Sequence, residues 1–222
     1  MLDLRLYALL DPERSEGRPL DDLARRLAAA GATLVQLRDK NGSTRRLVVE
    51  ARAIRQALQG SGVPLLINDR IDVALAAEAD GVHVGQEDLA VDDARRLLGR
   101  TAIIGLSVKT IAQAQAAPID LLDYVAIGGV FATSSKDNPD PPIGTQGLRA
   151  IAAALRARAA KIPIVAIAGI DRRNAADAVA AGADGVAVIS ALSTVSDPAA
   201  AARELRAIVD RALAERGRSA QR

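Results

Sequence analysis

The stretch Ala181-Gly182-Ala183-Asp184-Gly185-Val186-Ala187-Val188-Ile189 reads as a helix stopping, a tight turn and a strand beginning. Glycine suits the left-handed end of a helix, and a short acid suits the turn after it. The same junction recurs at Ala30-Gly31-Ala32-Thr33-Leu34-Val35 and at Glu78-Ala79-Asp80-Gly81-Val82. Working outward from these three points, short β-branched or leucine-rich runs alternate with Ala/Arg/Leu-rich helical patterns. Strands are predicted near residues 5–9, 33–38, 64–68, 81–84, 102–106, 124–127, 164–167 and 185–189. Helices are predicted near 20–30, 44–59, 71–78, 91–98, 111–116, 147–160, 172–181 and 198–215. The strand runs are more often continuously apolar than alternating, as when helices cover a parallel sheet. Eight strands and eight helices in alternation predict an α/β fold, a parallel eight-stranded (β/α)8 TIM barrel. It is expected as one domain over residues 1–216, followed by a frayed polar tail at 217–222. An open doubly wound sheet is the alternative, but its Gly-x-Gly-x-x-Gly fingerprint is missing after the first strand.

Composition narrows the function. The chain has 222 residues, half of them apolar, and only Tyr7, Tyr124 and Phe131 are aromatic. The net charge is +2, with arginines mixed among acids along the helices, the pattern of solvated faces. With almost nothing to stack bases, no nucleic-acid partner is expected. Absence of cysteine excludes disulfides, thiolate catalysis and sulfur-bound metals. No signal peptide is visible and no apolar run approaches a membrane span, so a cytoplasmic protein without a membrane partner is expected. Self-association into a homo-oligomer stays open.

Arginine occurs twenty-five times and lysine four, yet Lys40, Lys109 and Lys136 all follow predicted strands. An ammonium is a mobile point charge suited to phosphate oxygens, so these lysines suggest an anion pocket at the carboxyl ends of the strands. After strand two, Gln36, Arg38 and Lys40 alternate with Leu37 and Asp39 and therefore share a face. At ~3.3 Å per residue they form a ladder on the order of 13 Å long. A strand running into solvent, with Arg38 paired to a nearby acid, explains the same pattern. Asp69 and Asp88 follow strands three and four. Each can be read as a helix N-cap, and Asp69-Arg70-Ile71-Asp72 resembles a capping box. Together on one rim they would repel unless a cation lay between them, and Mg²⁺ takes one or two carboxylates plus phosphates. Ser107 follows strand five. Thr133-Ser134-Ser135-Lys136 precedes a proline-rich loop that is either a lid or an ordinary surface loop. Gly169 and Ile189-Ser190 stand where this fold commonly grips phosphate. His83, inside strand four, reads as a packed core residue without a role.

These pieces in order resemble the thiamine-phosphate synthase family: Gln36-Leu37-Arg38-Asp39-Lys40, Asn68-Asp69, Gly81 through Asp88, Gly105-Leu106-Ser107, Ala132 through Lys136, Ala168-Gly169-Ile170 and Ile189-Ser190. The likeness runs from about Leu6 to about Ala212. It implies joining 4-amino-2-methyl-5-hydroxymethylpyrimidine diphosphate to 4-methyl-5-(2-phosphoethyl)thiazole, with release of pyrophosphate. Carried over, Gln36, Arg38, Lys40, Asn68, Ser107 and Lys136 would hold the pyrimidine diphosphate, and Asp69 and Asp88 would bind Mg²⁺. Thr133, Ser134, Ser135, Gly169, Ile189 and Ser190 would contact the thiazole phosphate. Lys136, Ser107 and Arg38 are the expected catalytic residues. The family's chemistry is dissociative, needing charge neutralisation of the departing pyrophosphate rather than a nucleophile. Gly129, Ser135 and Lys109 depart from residues frequent in the family, proline, threonine and histidine respectively. Two other readings are a thiazole-tautomerase-like isomerase, which lacks the full diphosphate set, and a non-catalytic phosphate-binding barrel, which has no need for the two-carboxylate metal site.

Overall fold

The structure, a computed structural model, describes residues 2–133 and 141–219. Eight parallel strands close into a barrel in sequence order: β1 (Leu6–Leu10), β2 (Leu34–Leu37), β3 (Leu65–Asn68), β4 (Gly81–Val84), β5 (Ile103–Val108), β6 (Tyr124–Ile127), β7 (Ile164–Ile167) and β8 (Gly185–Val188). Closure is made by β8 pairing with β1, Leu6 opposite Val186 and Ala8 opposite Val188. Around it run α1 (Leu20–Ala29), α2 (Thr44–Ala57), α3 (Ile71–Ala77), α4 (Val91–Leu98), α5 (Ile111–Ala116), α6 (Gly144–Arg158), α7 (Ala175–Ala180), α8 (Ser190–Ser193) and α9 (Pro198–Ser219). The eight-stranded TIM barrel is therefore as expected.

Period-two alternation divides the apolar residues into two cores. Leu6, Ala8, Val35, Ile67, Val82 and Ile104 face outward and pack with the helices. Tyr7, Leu9, Leu34, Leu66, Tyr124, Val165 and Ala187 face inward and fill the barrel. Fully burying a large apolar side chain is worth ~1.5–3 kcal/mol, so both layers contribute heavily. The interior is crowded by the two tyrosines, whose rings meet edge to face at 5.9 Å between centroids. Gly105 makes room for them, because a Cβ there would lie 2.0 Å from Tyr124 Cζ. Gly105→Ala is expected to cost at least ~1–3 kcal/mol of stability through overpacking. Urea unfolding measures it, and an unchanged midpoint would refute this account of the glycine.

The helix-to-strand repeat has a structural job at the amino-terminal face. Thr33, just before β2, accepts from the Leu6 N–H through Oγ1 at 3.1 Å. Asp80, before β4, accepts from Leu65 N–H at 2.7 Å, and Asp184, before β8, from Ile164 N–H at 2.9 Å. A fourth case, Asp123 before β6, accepts from Ile104 N–H at 2.8 Å. Arginine forks brace two of these acids: Arg95 holds Asp123 at 2.8 Å, while Arg156 and Arg216 hold Asp184 at 2.7 and 2.8 Å. Arg95 also donates to the Leu121 and Ala102 carbonyls and Arg216 to those of Val179 and Ala183, which a single ammonium could not do as a planar fork.

Element ends differ from expectation where side chains intervene. α7 starts at Ala175 because Asp171 first folds the chain into a turn, accepting from the Arg173 N–H at 2.8 Å. α6 starts earlier, at Gly144, where backbone bonds from Ile143 to Gly129 and from Gly144 to Val130 dock its entry. α8, absent from the sequence reading, is one short turn after β8. α9 runs to Ser219, so the first three residues of the expected tail are helical. Arg216, anchored to Asp184, carries the helix past Glu215. Among the described residues no helix is long and apolar enough to cross a membrane.

Candidate active site

The carboxyl ends of the strands gather most of the expected residues. Gln36, Arg38, Asn68 and Ser107 line a small cavity of about 50 Å³ in the barrel mouth, with Tyr7 and His83 at its floor. A second cavity, about 570 Å³, lies over β7 and β8 and takes in Thr133, Gly169, Ile189 and Ser190. The two adjoin, since Ile167, Ala187 and Ile189 line both. Ser134, Ser135, Lys136 and the first half of the proline-rich stretch behind them, through Asp140, lie outside the described residues.

Of the expected ladder, Gln36 and Arg38 line the same cavity, while Lys40 lies in a bend beyond the end of β2 at Leu37. Gln36 is almost wholly buried, and its Nε2 donates to the Tyr7 hydroxyl. Arg38 does not run out into solvent. It pairs at 2.5 Å with Asp11, a buried acid after β1 that also accepts from the Glu13 N–H at 3.0 Å. Lys40 forms an ion pair with Asp69 at the exposed rim.

Neither Asp69 nor Asp88 caps a helix. Asp69 adopts a left-handed backbone, φ 60°, and its N–H donates to the His83 carbonyl at 2.8 Å. The N-cap position of α3 is Arg70, without a side-chain cap bond, and Arg70 instead grips Asp72. The resemblance to a capping box is thus not realised, because the turn points the Asp69 carboxylate at Lys40 rather than at α3. Asp88 accepts from the Gly85 N–H at 2.7 Å inside its own loop, two residues short of the α4 N-cap Ala90. Burial pushes the Asp69 carboxyl above the usual carboxylate range, and the neighbouring Asp88 adds to this while Lys40 opposes it. Two acids so placed gain from a cation between them. Among the described residues no group of three or more His, Cys, Asp or Glu is gathered for a metal. A two-carboxylate set suits a magnesium ion that completes its shell with water and phosphate.

Two features were not legible as functional in the sequence. One is Asp11, whose pairing with Arg38 spans the gap between β1 and β2. The other is a chain of hydrogen bonds across the barrel: Gln36 to Tyr7, Tyr7 to Tyr124 at 2.9 Å, Tyr124 to His83 Nδ1 at 2.8 Å, and His83 Nε2 to Ser107 Oγ at 2.8 Å. His83 also stacks on Tyr124, ring centroids 5.6 Å apart. Burial raises the pKa of both phenols, so they act as neutral hydroxyls. The signal available was that two of the chain's three aromatics stand in strands; nothing local said that they face each other. Lys109 continues the inward alternation of Gly105 and Ser107, and its stem lies against Gly128 at the β6 end.

Over the second cavity the backbone is tight. Ala168 and Gly169 both have positive φ, 93° and 64°, and a Cβ at Gly169 would stand 2.3 Å from the Ala132 carbonyl. The β6 and β7 loops therefore touch through bare backbone, which brings Thr133 over Gly169.

Fold and rim together define a TIM-barrel protein with its polar groups at the carboxyl face, the end that carries chemistry in this architecture. The family model described as thiamine monophosphate synthase matches residues 6–192. A thiamine-phosphate synthase of Agrobacterium fabrum is 50% identical over 215 residues, 97% of this chain and 98% of its own. One from Moorella thermoacetica is 50% identical over 207 residues, covering 93% of this chain and 96% of its own. The solved thiamine phosphate pyrophosphorylase of Pyrococcus furiosus superposes with a TM-score of 0.82 at 36% identity, covering 96% and 98% of the two chains. The chain belongs to the thiamine monophosphate synthase family. Membership places it among the transferases of thiamine biosynthesis.

Proposed function

We propose that this barrel condenses 4-amino-2-methyl-5-hydroxymethylpyrimidine diphosphate with 4-methyl-5-(2-phosphoethyl)thiazole, yielding thiamine phosphate and pyrophosphate. The observation that carries the reading is the pair of adjoining cavities, one with an amide, a guanidinium and a hydroxyl, the other over the β7 and β8 ends. Gln36, Asn68 and Ser107 would take the pyrimidine ring, with Arg38 and Lys40 on the diphosphate. Thr133, Gly169, Ile189 and Ser190 would take the thiazole phosphate, joined by Ser134 and Ser135. Asp69 and Asp88 would hold Mg²⁺, which supplies positive charge to the diphosphate as the C–O bond breaks.

The chain's own part is positioning and neutralisation. Arg38, held by Asp11 in one orientation, offers donors without a reorganisation cost during the reaction. Breaking the C–O bond leaves a pyrimidinylmethyl cation that the ring electrons stabilise, and the thiazole nitrogen, set close behind the carbon, forms the new C–N bond. The bonding electrons leave with pyrophosphate. No nucleophilic side chain is required.

The direct experiment mixes both substrates with Mg²⁺ and assays pyrophosphate and thiamine phosphate; formation of neither sinks the proposal. An isomerase would instead consume a thiazole compound alone, and a non-catalytic barrel would bind without releasing pyrophosphate. Pocket assignment has its own test. Lys40→Ala should raise the KM for the pyrimidine diphosphate, and Ser190→Ala that for the thiazole phosphate. A charged contact is worth ~1.5–3 kcal/mol and a neutral one ~0.5–1.5, so the first shift should be larger. Both variants shifting the same KM would show the two ligands to be placed wrongly. For Lys136, an ammonium meeting charge that grows on the pyrophosphate should act mainly on the chemical step. Lys136→Ala should therefore lower the single-turnover rate at saturation more than it weakens diphosphate binding. A normal rate with weakened binding would make Lys136 an anchor only.

A further inference from the structure

The hydrogen-bond chain inside the barrel has every link satisfied when it runs in one direction from Gln36. A phenol has a single hydrogen. Because Gln36 Nε2 donates to the Tyr7 oxygen, the Tyr7 hydrogen goes to Tyr124, and the Tyr124 hydrogen goes to His83 Nδ1. A neutral imidazole with an accepting Nδ1 carries its hydrogen on Nε2, which then donates to Ser107 Oγ. Ser107 is left to donate its own hydrogen into the mouth. At the other end, Gln36 Oε1 is buried with no hydrogen-bond partner among the described residues, and it belongs to the same cavity lining. A buried orphan acceptor is costly unless a ligand satisfies it. The mouth thus presents an acceptor from β2 and a donor from β5. A 4-aminopyrimidine offers the complement: an amino group that donates and ring nitrogens that accept.

We infer that Tyr7, Tyr124 and His83 are positioning residues. They form a one-way relay that sets the polarity of Gln36 and Ser107, and so selects a 4-aminopyrimidine over its 4-oxo counterpart. In the oxo compound a carbonyl replaces the amino group and a ring nitrogen gains hydrogen, reversing both contacts. The inference rests on the functional reading above for the ligand, but the relay itself is tested without it.

The chain has one histidine, so ¹⁵N-histidine labelling of the whole protein reports a single imidazole. The ¹⁵N shifts should show Nδ1 bare and Nε2 protonated. Tyr124→Phe and Tyr7→Phe should release this preference toward a tautomer mixture. Calorimetry with Mg²⁺ and each pyrimidine diphosphate should show the amino compound binding on the order of a hundredfold or more tighter, since a site built for particular hydrogen bonds rejects the analogue that mismatches them. That ratio should shrink about tenfold or more in either tyrosine variant, while Lys40→Ala weakens both compounds alike. If Tyr124→Phe does not fold, Tyr7→Phe carries the measurement. Hydrogen on Nδ1 in the wild type would mean that the relay runs backwards and would overturn the inference. An unchanged amino-to-oxo ratio in a folded tyrosine variant would overturn it too. Binding of neither compound by the wild type would instead remove the functional reading, with the tautomer still deciding whether the relay exists.

Discussion

Asp69→Asn and Asp88→Asn should each leave the barrel folded and lower Mg²⁺-dependent turnover by roughly a hundredfold or more, the loss of several kcal/mol of charge stabilisation. The substitution suits these sites because it changes little else. Asn tolerates the left-handed backbone of Asp69 about as well as Asp does, and at Asp88 an amide oxygen can still accept from the Gly85 N–H. Stability supplies an independent check. The native Asp69 carboxyl titrates above the usual range, so the folded chain holds that proton more tightly than the unfolded chain. Its contribution to stability therefore falls as pH rises through that window and stays lower above it. Removing the ionisable group takes that cost away, so Asp69→Asn should melt no lower than wild type at neutral pH. A folded variant whose activity across a magnesium titration matched wild type would discard the metal assignment.

Arg38→Ala should abolish most activity and also cost about 3 kcal/mol of stability, because it strands the Asp11 carboxylate in a buried place. Activity loss alone would therefore be ambiguous. The double variant Asp11→Asn with Arg38→Ala separates the effects. Neutralising the stranded acid should recover much of the stability, while diphosphate affinity stays lost. Chemical unfolding and substrate titration of the two single variants and the double form a cycle. Recovery of both properties together would show that Arg38 serves the fold and not the ligand.

The barrel was legible because each strand and each covering helix, the one-turn α8 apart, announces itself locally. Runs such as Ile164–Ile167 and Gly81–Val84 match the structure to the residue, since β-branched blocks bounded by turn residues leave little choice. Ends governed by side-chain bonds, such as the Asp171 turn before α7, were not readable at that level. At the rim the residue types were visible, and alternation placed Gln36, Arg38 and Lys40 on one face. Their partners were not, because Asp11 and Asp69 approach from other strands. His83 shows the limit most clearly. Its sequence neighbours are those of a core residue, and it is indeed buried. Its two ring partners come from positions 24 and 41 residues away. Only closure of the barrel makes them neighbours.

The amino-terminal clamps carry a consequence for where the chain can be cut. Thr33 ties β1 to β2, Asp80 ties β3 to β4, Asp123 ties β5 to β6 and Asp184 ties β7 to β8. Every tie lies within an odd-even pair, and none of these four crosses from an even strand to the next odd one. The barrel is thus jointed in quarters. Two fragments divided between β4 and β5 would each keep the side-chain ties of their own half, leaving the β4–β5 and β8–β1 ladders to re-form. Fragments divided between β3 and β4 would leave the Leu65 amide and the Asp80 carboxylate on different pieces, each needing the other before its own edge is complete.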